Sequence, residues 1–153
     1  MVKLNIMMAW LVLMLLTLGS ANAQTRFGVR GGVYLDQDDP FVGAHFLHQI
    51  QRHWMFNPNF EYVFLDRDDA SMFTINADLH YDLPSSSRSS TIFWLGGGLG
   101  ISHFSAGDFN NTDTGLNLLM GASFGRRGTI PFVQVKVIVQ DESQLVVGGG
   151  LTF

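Results

Sequence analysis

An alternation with a period of two residues runs through the chain from about residue 25 to residue 153. It is clearest at the end. Leu145, Val147, Gly149, Leu151 and Phe153 alternate with Gln144, Val146, Gly148, Gly150 and Thr152. Upstream, Val133, Val135, Val137 and Val139 alternate with Gln134, Lys136, Ile138 and Gln140. Phe73, Ile75, Ala77, Leu79, Tyr81 and Leu83 alternate with Thr74, Asn76, Asp78, His80 and Asp82. Trp54, Phe56, Pro58, Phe60, Tyr62 and Phe64 alternate with Met55, Asn57, Asn59, Glu61 and Val63, and Leu116, Leu118, Met120, Ala122 and Phe124 with Gly115, Asn117, Leu119, Gly121 and Ser123. Successive side chains of a strand point to opposite faces, so each segment reads as a strand with one bulky apolar face and one polar or glycine face. No segment after residue 23 holds a 3.6-residue period or an apolar run of membrane-helix length. Eight strands are predicted, over 25–35, 41–50, 53–65, 71–83, 90–102, 115–125, 129–140 and 143–153. The expected fold class is all-β: one domain over 24–153, an eight-stranded antiparallel up-and-down barrel.

Glycine and charge together favour one choice of which face points inward. Gly28, Gly32, Gly43, Gly96, Gly98, Gly100, Gly115, Gly121, Gly148 and Gly150 share the polar face. An eight-stranded barrel has an interior just wide enough for side chains, where glycine fits beside a larger neighbour. On a water-facing strand glycine weakens the sheet with no gain in packing. Arg26, Arg30, Glu61, Asp78, Asp82 and Lys136 lie on the same face, and opposite signs from different strands can pair across a narrow lumen. The bulky face is therefore predicted to meet lipid, making the barrel transmembrane. The alternative is a soluble periplasmic lipocalin-like barrel that binds an apolar ligand; it would show the same alternation with the sign reversed.

Composition removes other classes. Charged residues are 14% and hydrophobic ones 46%, which excludes a disordered chain. The net charge is −4 and the nine Lys and Arg are scattered, so no nucleic acid partner is expected. There is no cysteine, hence no disulfide framework and no thiolate metal site. Residues 1–23 read as a signal peptide: Lys3, an apolar stretch over 6–18 broken only by Thr17, then Gly19-Ser20-Ala21-Asn22-Ala23, with cleavage expected after Ala23. The apolar stretch is shorter than the roughly 20 residues a spanning helix needs. The mature chain, residues 24–153, is expected to be exported through the periplasm.

These features together resemble the small bacterial outer-membrane β-barrel proteins of the OmpA/OmpX-like, eight-stranded kind. Trp94-Leu95-Gly96-Gly97-Gly98-Leu99-Gly100-Ile101 is similar to their glycine-rich fifth strand, and Thr114-Gly115-Leu116-Asn117-Leu118-Leu119-Met120-Gly121 to their sixth. The segment 145–153, ending in Phe153, resembles the C-terminal strand read by the outer-membrane assembly machinery. The resemblance implies localisation to the cell outer membrane. It implies as partners outer-membrane lipid, lipopolysaccharide and, during biogenesis, the assembly machinery, with Phe153 as the assembly signal.

Charge then sorts the two ends. With both termini periplasmic, the outer loops fall near 36–40, 66–70, 103–114 and 141–142 and the inner turns near 51–53, 84–89 and 125–128. Ten of the thirteen acids lie in the outer loops: Asp36, Asp38, Asp39, Asp66, Asp68, Asp69, Asp108, Asp113, Asp141 and Glu142, opposed only by Arg67. The inner turns hold Arg52, Arg88, Arg126 and Arg127 and no acid.

The function expected is structural or interactive, exerted through short acidic outer loops, with no wide pore and no catalytic site. The enzymatic alternative is a hydrolase acting on lipid A. His103-Phe104-Ser105 puts a base and a nucleophile on one face of an extended segment, with Asp108 or Asp113 to orient the histidine. The outer-membrane lipid A deacylase carries a His-x-Ser motif, but there an Asn follows the Ser and a Glu is the third member; here Ala106 follows and the loop has no Glu. No cofactor or metal is expected. His45 and His48 differ in parity, so they form no metal pair, and Asp36-Gln37-Asp38-Asp39 lacks EF-hand spacing. His80 is expected in the lumen between Asp78 and Asp82, while Trp94 has lumen parity with no assigned role.

Overall fold

The structure, a computed structural model, describes residues 25–66, 70–86 and 89–153. The leader with Ala23 lies outside the described residues, as do Arg67, Asp68, Asp69 and Arg88. Eight strands follow in order: β1 (Thr25–Tyr34), β2 (Asp39–Gln51), β3 (Trp54–Val63), β4 (Ala70–Asp82), β5 (Thr91–Ala106), β6 (Phe109–Phe124), β7 (Ile130–Val139) and β8 (Gln144–Thr152). Each pairs antiparallel with the next, and β8 returns to β1 to close the barrel. At the seam Arg30, Gly31 and Gly32 oppose Gly150, Gly149 and Gly148, and backbone bonds from Leu35 N to Leu145 O and from Phe153 N to Phe27 O extend the ladder at both ends. The Asp36 carboxylate straps the β1–β2 turn to the same seam by accepting from the Leu145 N–H at 2.6 Å.

Most strand limits lie within a few residues of the predicted ones. The β5–β6 hairpin is the correction. Its expected loop at 103–114 is mostly strand: β5 runs on to Ala106, β6 starts at Phe109, and Gly107 and Asp108 alone join them. Polarity in Ser102, His103, Asn111 and Thr112 reads as loop when the apolar band is the guide. A ladder needs no apolar residues once it rises beyond that band: Ser102 pairs in register with Asp113, His103 with Thr112 and Phe104 with Asn111. Gly107, with φ of 59°, supplies the positive φ that a two-residue hairpin turn requires.

The bulky face points outward. Phe27, Phe46, Phe60, Ile75, Phe93, Leu99, Leu118 and Val133 are all exposed on the barrel wall, so the sign-reversed soluble arrangement is not the one adopted. Trp54 and Tyr81 pack edge to face at one end of the wall, Tyr62 and Phe64 at the other. The glycines line the inside because neighbouring strands send large groups over them. On β5, Gly96, Gly98 and Gly100 lie opposite His80, Asp78 and Asn76 of β4. A Cβ at Gly96 would lie 2.6 Å from the Leu79 carbonyl oxygen and 2.9 Å from the His80 ring. Gly121 gives room to the Trp94 ring in the same way.

Candidate functional site: a sealed lumen between two mouths

From the acidic end downward, the lumen opens as a cup, narrows to an apolar plug, and continues as a charged layer. The plug is Tyr34, Phe41, Val63, Met72, Ile138 and Val146, each contributed at lumen parity by a different strand. Below it, Glu61 is wholly buried and fully satisfied. Its carboxylate takes Lys136 Nζ at 2.8 and 3.0 Å, the Tyr34 hydroxyl at 2.9 Å and the Thr74 hydroxyl at 3.2 Å. Arg30 lies 3.6 Å from the same carboxylate and donates to Gln134 Oε1. Asp78, also wholly buried, is held by amides: Asn59 donates to one oxygen at 2.9 Å and Asn117 to the other at 2.8 Å. Asn76 ties the two halves, donating to Asn59 and to Thr74 and accepting from Asn117. Two positive side chains thus face Glu61, while Asp78 is held by amides alone. An ion inside low-dielectric surroundings is tolerable only when paired and hydrogen-bonded.

Beneath this layer the aromatic groups close the barrel. The His80 ring stacks flat on Trp94, with centroids 4.1 Å apart and planes 6° from parallel. His45 meets Phe132 edge-on and bonds Thr152 at 3.1 Å, while His48 faces the other way, to Thr25. Trp94, which parity placed inside without a role, is thus a lid on the lower lumen. At the far mouth a cavity of about 260 Å³ is lined by Arg26, Asp82, Arg126 and the His80–Trp94 pair. Arg26 donates to the Arg126 carbonyl, and Arg126 donates to the Ser85 hydroxyl and the Ser86 and Ser89 carbonyls. So Arg30, Glu61 and Lys136 meet, Asp78 is satisfied separately by amides, and Arg26 and Asp82 sit at the mouth away from the buried layer.

The His-x-Ser motif is placed differently from the expectation. His103 and Ser105 lie within β5 and point outward, not into a loop. His103 Nδ1 is bonded to the Thr112 hydroxyl at 2.9 Å and its ring lies against Phe73. Asp113 pairs in register with Ser102, one position along, so it faces the lumen side; its carboxylate accepts from Asn111 at 2.8 Å. Asp108 sits at the hairpin tip. Among the described residues these groups form no nucleophile–base–acid relay.

No protein-family model and no curated protein matches the sequence. Solved structures do match. The N-terminal β-barrel domain of Pseudomonas aeruginosa OprF superposes with a TM-score of 0.71 at 11% identity, over 86% of this chain and 98% of that one. Neisserial surface protein A gives 0.69 at 14% identity, over 86% and 98%. The outer membrane enzyme PagL gives 0.55 at 11%, over 85% and 99%. The fold is that of the eight-stranded outer-membrane β-barrels.

Within this outer-membrane barrel fold, the side chains that complete the charged layer are those the alternation assigned to the inner face, with one addition. Tyr34 supplies both a plug residue and a donor to Glu61. Its signal was available: it has the parity of Arg30 and Gly32. Gln140 and Gln144 also reach the upper cup, and each has a buried side-chain oxygen with no hydrogen-bond partner.

Proposed function

We propose that this chain is an integral outer-membrane protein with a structural or interactive role, neither a wide pore nor an enzyme. One observation carries the reading: a closed barrel whose wall is apolar all round encloses a plug and a hydrogen-bonded charged layer. A spanning sheet must satisfy every backbone group without water, which a closed barrel does. Open diffusion channels are found at about 16–18 strands, whereas eight leave an interior that side chains fill. The acidic end faces outward and the arginine-bearing turns face the periplasm. Its described loop residues, Asp36, Asp38, Asp66, Asp108, Asp141 and Glu142 among them, include no lysine or arginine, and Arg52, Arg126 and Arg127 mark the opposite end. Membrane lipid and lipopolysaccharide surround the wall, and the assembly machinery handles the chain on its way, with Phe153 in the strand it reads.

The test is fractionation after expression of the full chain with its leader. The protein should appear in the outer-membrane fraction, resist carbonate extraction, and migrate differently on gels before and after heating. Recovery as a soluble, monodisperse periplasmic protein would overturn the reading.

A further inference from the structure

We infer that the cup at the acidic end binds a small organic polycation, a linear polyamine whose ammonium groups are separated by methylene segments. The outer-membrane reading enters only in deciding which compartment supplies the ligand; the binding itself follows from the cup.

The cup encloses about 930 Å³, within the range of small-molecule sites. Asp39, Asp66, Asp113, Asp141 and Glu142 line it, and among the described residues no lysine or arginine does. The nearest buried cations, Lys136 and Arg30, lie beyond the apolar plug and are engaged with Glu61. At the base of the cup Gln144 is only 9% exposed, and its side-chain oxygen is buried without a donor; the Gln140 oxygen is in the same condition. A buried acceptor left without a donor is destabilising, and a bound donor relieves it. The lining also carries apolar surface: Leu65, Met72, Phe104 and Phe109.

This arrangement discriminates among cations. Calcium requires six to eight oxygens converging at about 2.3–2.6 Å. Among the described residues no three Asp, Glu or His side chains come together to hold a metal ion. The carboxylates are instead spread around a wide rim, with acceptors and apolar surface in the same lining. An ammonium group offers three donors and no acceptor, so each can serve a carboxylate or a glutamine oxygen. The methylene segments then cover Leu65, Met72 and the phenylalanines. The plug beneath makes the cup a binding site, not an entrance.

The experiment uses the full mature chain folded in detergent, with spermine titrated calorimetrically at low ionic strength. Binding should saturate at one spermine per chain. It should weaken as sodium chloride is added, because the screening length falls to about 10 Å at 0.1 M salt. The Gln144→Leu variant changes no charge and should weaken binding roughly tenfold. The paired variant Asp141→Asn, Glu142→Gln alters only exposed rim residues, folds irrespective of the floor, and should also weaken binding. Asp82→Asn, at the opposite mouth, should leave affinity unchanged. Heat-dependent gel mobility verifies that each variant is folded. Binding that fails to saturate, or is equal in all variants, overturns the inference, as does calcium filling the cup while spermine fails to compete. Failure of fractionation would overturn the outer-membrane reading and leave this titration standing.

Discussion

Val135 and Lys136 are neighbours on β7 and occupy opposite environments. Val135 stands on the outer wall, while the Lys136 ammonium is wholly buried against Glu61. The same contrast holds around the barrel: apolar groups are exposed outside and ions are sealed inside. In a water-soluble domain this would be inverted, because apolar area stabilises when it leaves water and charge when it stays there. The comparison teaches that a residue type in this barrel has no fixed value. A lysine is satisfied at 136 because Glu61 accepts it and Thr74 and Tyr34 satisfy what remains of the carboxylate.

The largest effect should come from breaking the inner half of that contrast. Lys136→Met leaves Glu61 buried with only Arg30, at 3.6 Å, to balance it. Removing one partner of a buried pair costs about 3–5 kcal/mol. Adding Glu61→Gln together with Arg30→Gln should restore much of the loss, since both ions that would otherwise face each other or stand alone are then replaced by uncharged amides. Urea unfolding of the three forms in lipid vesicles, followed by tryptophan fluorescence, measures this. A triple variant no more stable than Lys136→Met would show that the three ions do not act as a unit.

The outer half is tested one residue away. Val135→Arg should cost about 2–4 kcal/mol if the residue lies near the bilayer midplane. The same vesicle experiment applies. A silent Val135→Arg in vesicles would mean that this wall does not meet hydrocarbon.

How far this contrast was legible in the sequence depends on the residue. The period of two gave each side chain its face, because a strand's geometry leaves no other choice. It therefore placed Arg30, Glu61, Asp78 and Lys136 on one side. It did not pair them. Asp78 is satisfied by Asn59 and Asn117 and not by the nearest cation, a choice set by barrel register, which no single strand encodes. The β5–β6 extension was missed for a related reason. Apolar residues mark where a strand crosses lipid, and β5 continues beyond them through Ser102 and His103, held by pairing to Asp113 and Thr112. The glycine pattern was readable as small-face packing, whereas the role of Trp94 required knowing that His80 lies across from it.

Adjacent glycines give a smaller and cleaner version of the same comparison. Gly97 faces out and Gly98 faces in. A Cβ at Gly97 would meet the Asn117 carbonyl oxygen at 3.4 Å, an ordinary contact. One at Gly98 would collide with the Ala77 carbonyl and the Asp78 carboxylate. Gly98→Ala should destabilise by about 1–3 kcal/mol through overpacking, and Gly97→Ala by much less. Equal effects in vesicle unfolding would mean that backbone freedom, not the neighbouring side chain, is what these glycines supply.

The weakest effect is expected where the outer wall rises past its apolar band. His103 and Ser105 are on the outer face of β5, with His103 bonded to Thr112 and leaning on Phe73. Ser105→Ala removes a hydroxyl from a half-exposed edge of the hairpin. Substitutions of this kind usually change stability by less than about 0.5 kcal/mol. A catalytic serine would behave differently in a second measurement. If the chain hydrolysed lipid A, mass spectrometry of lipid A from expressing cells would show lost acyl groups, and Ser105→Ala would restore them at unchanged protein level. The geometry argues for no change in either case, because His103 Nδ1 is bonded to the Thr112 hydroxyl where a relay would place a carboxylate, and Asp113 faces the other side of the sheet. Lipid A that differs between expressing and non-expressing cells, and reverts with Ser105→Ala, would put an enzyme on this wall and move the function from the cup to the hairpin.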